Sequence, residues 1–285
     1  MAGVPVHPLA GVSRCDGSVA ERTWKRNGRA CCNLTRLRLS PVHPGIGEAI
    51  ARRLAPEGLT VVAVARRADR LQALERRDGR IVPHLADVTR RTDVAALADR
   101  VAREFGRCDV LVNSAGVRGG AFTGPDDLDD VVRTMQVNFM GGANCMAVLH
   151  DLLAASAPSH VINVASVAGK VGVGPAGYVA SKFARVGFPE ALSLSWARDG
   201  IRVTQLNPGF IVTEGFPQTQ MLRSPIASLV GAPDDVADAL ANVLRKRPRE
   251  RTVPRWYRPV VVLRHLLPAL YWRGIARVPR ARGTR

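Results

Sequence analysis

Residues 59–65 read LTVVAVA, a run rich in valine that contains no charged residue. Valine favours the extended conformation, and such an uninterrupted run is typical of a parallel strand buried on both faces of its sheet. A helical pattern precedes the run, because Ile46, Ile50 and Leu54 recur every four residues within Ile46–Leu54. A second helical pattern at 71–77 follows it. The run therefore predicts the buried strand of a repeated strand–helix unit.

The same alternation continues to residue 246. Further strands are predicted at 81–86, 110–113, 160–164 and 201–206, and further helices at 94–105, 127–155, 178–198 and 234–246. This repetition is typical of α/β proteins with a doubly wound parallel sheet, a Rossmann-type three-layer α/β/α fold that binds ligands beyond the carboxyl ends of its strands. We expect a single dinucleotide-binding catalytic domain over 40–246, with irregular basic tails: an anomalous N-terminal segment, 1–39, and a basic and aromatic C-terminal extension, 247–285.

The formal net charge of +17 lies at the two ends of the chain. Residues 1–44 carry seven Lys and Arg against two Asp and Glu, and residues 245–285 carry thirteen against one. The whole chain has 41 basic and 24 acidic residues, so the remaining 21 of each sign cancel within residues 45–244. A neutral middle with no recognised nucleic-acid-binding module argues against nucleic acid as a partner.

Composition also argues against membrane-spanning, secreted and metal-binding proteins. Arg, His or Gly interrupts every long apolar stretch, so no segment is predicted to cross a bilayer, and no signal peptide is indicated. The five cysteines are odd in number and show no metal-ligand spacing; they are Cys15, Cys31, Cys32, Cys108 and Cys145. We therefore predict no metal site and a reducing, cytoplasmic location.

The most specific chemical signal is Ser166 followed by Tyr178-Val179-Ala180-Ser181-Lys182. A Tyr and a Lys four residues apart on a helix share one face, with their Cβ atoms about 5–6 Å apart. A nearby ammonium stabilises the phenolate and lowers the pKa of tyrosine from about 10, so the pair predicts a proton donor or acceptor for neutral pH. Ser166 follows a predicted strand and is a candidate to hold a substrate oxygen. The same spacing also occurs by chance on surface helices, but the upstream Asn-Ser-Ala-Gly segment favours catalysis.

Seven short segments together resemble the classical branch of the short-chain dehydrogenase/reductase family, in that family's order and near its spacing. The segments are Pro44-Gly45-Ile46-Gly47, Asp87-Val88, Asn113-Ser114-Ala115-Gly116, Val137-Asn138, Asn163-Val164-Ala165-Ser166, Tyr178 to Lys182, and Asn207 to Thr213. The resemblance covers about residues 40–245. It implies an oxidoreductase that transfers hydride between a nicotinamide cofactor and a small-molecule carbonyl or alcohol.

The resemblance also implies a role for each matching residue. Tyr178 would be the catalytic acid and base, and Lys182 would bind the nicotinamide ribose and lower the pKa of Tyr178. Ser166 would orient the substrate oxygen, and Asn138 would hold a water in a proton relay from Lys182. The implied cofactor-binding residues are Gly45, Ile46, Gly47, Asp87, Val88, Asn113, Ala115, Gly116, Tyr178, Lys182, Pro208, Gly209 and Thr213. Structural alternatives stay open for three of them: Asn138 bonded to backbone, Asp87 as a cap or turn residue, and Pro208-Gly209 as a plain turn.

The choice of cofactor follows from charge at the end of the second predicted strand. In this fold an acidic side chain there binds the ribose 2′-hydroxyl of NAD, whereas arginine accommodates the 2′-phosphate of NADP. The strand here ends Ala65-Arg66-Arg67, without an acid. We therefore expect NADP(H) rather than NAD(H), with Arg66 and Arg67 at the phosphate. The alternative is that these two arginines are merely solvated.

The resemblance breaks at the phosphate loop. Pro41 stands where the family has its first glycine, and proline fixes φ and lacks the N–H that a phosphate would use. The preceding strand, predicted at 34–39, contains Arg36 and Arg38, which are costly to bury. One hypothesis is that residues 1–44 are a frame-shifted reading of an ordinary start. Another is a catalytically impaired family member that acts as a membrane-associated scaffold or regulator.

The C-terminal extension allows two interpretations. Residues 253–279 place Trp256, Tyr257, Tyr271 and Trp272 around an aliphatic centre with interspersed arginines, as in segments that lie on anionic membranes. The alternative is a tail packed over the substrate pocket or in a subunit interface. Phe210, Phe216, Met221 and Ile226 indicate a hydrophobic substrate, although core packing explains them equally well. From the family we expect a homodimer or homotetramer.

Overall fold

The computed structural model describes residues 40–41, 45–216, 218–223 and 227–277; for Ser40, Pro41, Gln220 and Met221 it describes the backbone alone. The N-terminal segment 1–39 therefore lies outside the described residues, and so does the strand predicted at 34–39. Residues 42–44 of the phosphate loop, Ile226 and the end of segment 253–279 lie outside them too.

Two parallel sheets form the centre of the molecule. The strands are β1 Ser40–Pro41, β2 Val61–Ala65, β3 Ile81–Leu85, β4 Val110–Asn113, β5 Ser159–Val164, β6 Ile201–Pro208 and β7 Glu250–Val253. Hydrogen-bonded neighbours follow the orders β1-β2-β3 and β4-β5-β6-β7, and every ladder between these strands is parallel. Strand β1 also lies beside β4, so the strand order reverses between them. In sheets of this type, ligands bind at the carboxyl ends of the strands near such a reversal.

Helices flank the strands as predicted. They are α1 Ile46–Leu54, α2 Ala68–Glu75, α3 Arg91–Phe105, α4 Leu128–Met135, α5 Gly141–Ala155, α6 Ala168–Val171, α7 Ala176–Trp196, α8 Thr219–Leu222, α9 Pro233–Lys246, α10 Arg258–Leu266 and α11 Pro268–Ala276. A π-helical turn, Gln136–Met140, joins α4 to α5 and completes the long helical region predicted at 127–155.

Both faces of strand β2 are buried, which explains why apolar and polar residues do not alternate in its sequence. Val61, Ala63 and Ala65 belong to one buried cluster, which also holds residues of α1 and α9. Val62 and Val64 belong to a second cluster, which holds residues of α3 and α5. Successive side chains of a strand point to opposite faces, so each face of β2 is covered by its own helix layer. The three-layer α/β/α prediction is confirmed.

The C-terminal extension differs from its prediction. Instead of being irregular, it contributes β7, which pairs with β6, and the helices α10 and α11. The expected domain boundary at residue 246 thus falls four residues before a strand of the sheet. Pro259 and Pro268 lie in the first turns of α10 and α11. Proline is tolerated there because the first N–H groups of a helix have no intrahelical acceptor.

Within the described parts of the chain, every helix is too short or too polar to cross a bilayer.

Candidate active site

Ser166 directly follows β5, is buried, and lies beside Tyr178. Its hydroxyl donates to the carbonyl oxygen of Pro208 at 3.3 Å and accepts the N–H of Ala168 at 3.1 Å. It also shares a side-chain hydrogen bond with the phenol of Tyr178. These bonds hold the serine hydroxyl beside the phenol at the carboxyl edge of the sheet.

Tyr178 and Lys182 lie one turn apart on α7, with the lysine Nζ 5.4 Å from the centre of the tyrosine ring. Burial raises the pKa of Tyr178, while its hydrogen bond with Ser166 and the charge of Arg185 lower it. Burial also holds the pKa of Lys182 well below its usual range, and Arg185 lowers it further. In this structure Ser166 and Arg185 are the groups that favour the phenolate, and the expected acidifying effect of the Lys182 ammonium stays a prediction.

Arg185 is a buried site residue that the sequence interpretation missed. It is 3% exposed, and its Nη1 donates to the carbonyl oxygens of Ala115 at 2.6 Å and Asn138 at 2.7 Å. Burial lowers the pKa of Arg185 to about 10, so the guanidinium stays charged at neutral pH. The signal was its position three residues after Lys182, on the same helix face.

Asn138 lies in the π-helical turn and is fully buried. Its Oδ1 accepts the N–H of Val117 at 2.6 Å, and its Nδ2 donates to the Val117 carbonyl oxygen and the Ser181 hydroxyl, both at 2.9 Å. The backbone-bonded alternative thus describes the present contacts of Asn138. These hydrogen bonds connect the π-helical turn to the loop after β4 and to α7. The water relay implied by the resemblance stays a prediction.

The loop after β4 brings Gly116 to the same cluster. A Cβ at Gly116 would lie 3.4 Å from Asn138 Oδ1 and 3.6 Å from Lys182 Nζ. Asn113, at the end of β4, donates its Nδ2 to Asn163 Oδ1 of the neighbouring strand at 2.9 Å. A small cavity beside this loop is lined by Val88, Asn113, Ala115, Gly141, Gly142, Cys145 and Arg185. Four predicted residues, Val88, Asn113, Ala115 and Gly116, are therefore neighbours of the Tyr–Lys cluster or its arginine.

The end of β2 carries a separate group of charges. Arg66 Nη1 lies 3.7 Å from Asp87 Oδ2, and Arg67 Nη1 lies 4.0 Å from Glu214 Oε1. Arg70, on α2, places its Nη2 3.4 Å from Glu214 Oε2. Arg70 and Glu214 were missed because pairing between α2 and the loop after β6 is a tertiary feature. Three arginines thus converge where a 2′-phosphate is expected, and each has a carboxylate nearby.

Asp87 has a turn-forming role in the structure. Its Oδ1 accepts both the N–H and the hydroxyl of Thr89, at 2.9 and 2.8 Å. Burial raises the pKa of Asp87, but these two hydrogen bonds and the charge of Arg66 outweigh it and leave that pKa below its usual value. Because Oδ2 faces Arg66, the turn alternative describes the present contacts of Asp87, and the adenine contact stays a prediction.

The phosphate-loop glycine and the loop after β6 meet across the same edge. Gly45 precedes α1, whose first residues are Ile46 and the buried Gly47; it has φ +154°, and a Cβ on it would lie 2.8 Å from Thr213 Cγ2. Gly209 packs against the ring of Tyr257, where a Cβ would overlap ring carbons. Pro41 ends β1 in register with Val64. Thr213 and Gly45 are therefore brought together, while Gly209 has a packing role that the sequence did not indicate.

Comparison with known proteins identifies the family. The model of the short chain dehydrogenase family matches residues 42–221. The chain belongs to this family. A second finding agrees: 208 residues are 31% identical to the 3-oxoacyl-[acyl-carrier-protein] reductase of Thermotoga maritima, covering 69% of this chain and 84% of that protein. The predicted family and the oxidoreductase class acting on alcohol and carbonyl groups are confirmed.

Two further matches fix the extent of the likeness. The glycine betaine reductase of Emericella nidulans is 33% identical over 213 residues, which cover 71% of this chain but 17% of that longer protein. A short chain dehydrogenase from Burkholderia cenocepacia J2315, solved in complex with NADP, superposes with a TM-score of 0.72 at 24% identity. That superposition covers 85% of this chain and 97% of the solved one, and it shows the shared short-chain dehydrogenase fold.

The short-chain dehydrogenase site has the polar groups that a nicotinamide nucleotide requires. Lys182 is 6% exposed, and its Nζ lies near Gly116 and 5.4 Å from the centre of the Tyr178 ring. Ribose hydroxyls are suitable acceptors for the N–H groups of such an amine. At the other end, Arg66, Arg67 and Arg70 suit a phosphate. The described residues therefore fit the cofactor.

Proposed function

We propose that this short-chain dehydrogenase is an NADP(H)-dependent oxidoreductase that acts on an apolar carbonyl or alcohol. The carrying observation is that the half-buried Tyr178 lies with the buried Ser166 and Lys182, and that the buried Arg185 lies beside them. Burial strengthens the electrostatic effect of a polar group, because little water screens it. The scaffold alternative has no such support, since it gives no reason for a phenol, a buried amine and a buried guanidinium in one place.

Proton transfer is the part of the reaction that belongs to the chain's own residues. The nicotinamide, when bound, supplies or accepts the hydride. In reduction, Tyr178 donates its phenolic proton to the substrate oxygen, and Ser166 donates a hydrogen bond that steadies the same oxygen. In oxidation, the phenolate of Tyr178 takes the hydroxyl proton. Lys182 holds the ribose and lies near the ring, while Arg185 favours the phenolate electrostatically.

The preference for NADP(H) rests on the arginines around β2. Arg66 and Arg67 follow the strand directly, and Arg70 lies one turn into α2. The 2′-phosphate would replace Glu214 as the partner of Arg67 and Arg70. A charge-assisted hydrogen bond contributes about 1.5–3 kcal/mol, or about 10–100-fold in affinity. The combined Arg66→Ala and Arg67→Ala variant should therefore bind NADPH at least about 10-fold more weakly and NADH almost unchanged, with Arg103→Ala as an exposed control.

An apolar substrate is supported by the aromatic side chains near the phenol. The rings of Phe216 and Tyr178 are 5.5 Å apart between centroids. Phe216 follows β6, as does Phe210, whose ring lies 6.2 Å from that of Tyr257. An aromatic ring beside the phenol favours hydrocarbon groups next to the reacting carbon. A panel of aliphatic and cyclic ketones against charged keto acids tests this preference.

The decisive experiment combines NADPH titration with turnover of the Tyr178→Phe variant. Loss of the phenolic proton should lower turnover at least about 100-fold while NADPH affinity stays within a few-fold of wild type. Tyr271→Phe, which removes a phenol that donates to the Val171 carbonyl oxygen, is the matched control and should retain turnover. A full-length chain that binds no NADPH, or a Tyr178→Phe variant with wild-type turnover, would contradict the proposal.

Location and assembly stay predictions. A cytoplasmic location is consistent with Cys108 and Cys145, which are free and buried in the structure. A homodimer or homotetramer is the expected assembly, and light scattering of the full chain during size-exclusion chromatography measures it.

A further inference from the structure

The helices α10 and α11 form a unit that we call the C-terminal helix pair, residues 258–276. Its inner side packs against the body of the protein: Tyr271 is buried with Val167 and Val171, and Val261 packs on the same cluster. The Tyr271 hydroxyl donates to the carbonyl oxygen of Val171 at 2.8 Å. The helix pair is therefore attached beside α6 and the loop that follows it.

The outer side of the helix pair is apolar where the two helices meet. Leu266, Leu267 and Leu270 are 72%, 55% and 56% exposed, and Val262, one turn before Leu266, is exposed too. Trp272 is 45% exposed, and the edge of its ring lies near Gly172 of the loop after α6. Several exposed apolar side chains so close along the chain indicate a binding surface rather than an ordinary scatter of surface residues.

Positive charge surrounds this apolar surface. Residues 251–285 contain nine arginines and no Asp or Glu. Arg258 and Arg273 are exposed on the helix pair, and Arg264 stacks over Trp272 with its guanidinium carbon 5.3 Å from the ring centre. Apolar side chains next to arginine and tryptophan suit the boundary between acyl chains and anionic headgroups. There the apolar side chains can contact the acyl chains and the arginines can contact the headgroups.

We propose that the C-terminal helix pair docks this protein on an anionic lipid surface, with Leu266, Leu267 and Leu270 entering the boundary between headgroups and acyl chains. A second copy of the chain is the less suitable occupant, because self-docking would bring two arginine-rich, acid-free segments together. The docking is peripheral: Leu267 alone separates α10 from α11, and each helix has nine residues, too few to cross a bilayer.

The test is flotation of the full-length protein with two kinds of vesicle, phosphatidylcholine alone and phosphatidylcholine mixed with phosphatidylglycerol. We expect flotation with the anionic vesicles, weakened by added salt because the arginines act through charge. Combining Leu266→Glu with Leu270→Glu should lower the lipid-bound fraction at least about 10-fold. Combining Leu128→Glu with Leu194→Glu, at two exposed leucines elsewhere, is the matched control and should float like wild type.

Three results would overturn the proposal. The first is recovery of the wild-type protein in the soluble fraction with both vesicles. The second is unchanged flotation of the Leu266→Glu, Leu270→Glu variant. The third is that this variant retains lipid binding but has a smaller mass by light scattering, which would assign the surface to a second copy of the chain. NADPH binding and circular dichroism of each variant verify that the domain remains folded.

Discussion

Gly209→Ala is the substitution that most directly tests how the loop after β6 is held. The ring of Tyr257 lies against Gly209, and an added methyl group would overlap three of its carbons. Gly209 is not among the glycines with positive φ, so the substitution adds a steric clash and no left-handed backbone strain. The methyl group and the ring cannot occupy this space together, and the ring must leave its position.

The cost follows from what Tyr257 loses when it moves. Tyr257 is 5% exposed, and its hydroxyl accepts the Phe210 N–H at 3.0 Å and donates to the Leu229 carbonyl oxygen at 3.2 Å. Truncating a large buried aromatic side chain costs about 3–5 kcal/mol, to which each hydrogen bond contributes about 1 kcal/mol. We expect Tyr257→Ala to lower the free energy of unfolding by about 4 kcal/mol and Gly209→Ala to lower it by about 3 kcal/mol.

The double variant distinguishes this clash from other effects. Without the Tyr257 ring, the methyl group of Gly209→Ala has room, so the double variant should lose about 4 kcal/mol and not the additive sum of about 7 kcal/mol. Urea unfolding followed by far-ultraviolet circular dichroism measures all three variants. Gly187→Ala, where an added Cβ meets nothing within 4 Å, is the control. Additive losses in the double variant would refute the packing argument.

Two further predictions concern pH. Arg185→Met should move the pH profile of alcohol oxidation to higher pH, because the guanidinium lowers the pKa of Tyr178. Arg198→Met, at an exposed arginine, is the control. An unmoved pH profile for Arg185→Met would contradict the electrostatic role. His150→Gln should lower the melting temperature more at pH 5.5 than at pH 8.5. A hydrogen bond with Asp151 is the main cause that raises the folded-state pKa of His150. Its stabilising effect is therefore complete below the ordinary histidine pKa of about 6.5 and is lost as pH rises through the raised value. Equal losses at both pH values would contradict this assignment.

Much of the fold was predictable because burial on both faces of a parallel strand leaves a clear pattern. The run at 59–65 contains β2, and the prediction for α1, Ile46–Leu54, matches its observed bounds. Strand β7 was not predictable in this way. It reads Glu-Arg-Thr-Val, with Glu250 exposed and Thr252 and Val253 alone fully buried. Its strand character comes from pairing with β6, a contact that no local pattern encodes.

In the candidate site, too, residues placed by local sequence were predictable, and a residue placed by tertiary contacts was not. Tyr178 and Lys182 were found because a fixed spacing on one helix brings them together whatever surrounds them. Arg185 lies on that helix too, yet an arginine in a helix is ordinarily solvated. Its burial depends on the carbonyl oxygens of Ala115 and Asn138, which lie 70 and 47 residues away along the chain. Only the assembled fold supplies those acceptors.

The presence of Arg185 changes how the charge of this site is distributed. Two cations beside one phenol repel each other in a site where little water screens them, so the group with the less stable charge gives up its proton first. Burial lowers the pKa of Arg185 only to about 10, whereas it holds the pKa of Lys182 well below its usual range. The guanidinium of Arg185 therefore keeps a positive charge near Tyr178 at neutral pH. A ligand that supplies oxygen acceptors to the Lys182 Nζ would favour the ammonium and raise the pKa of that amine.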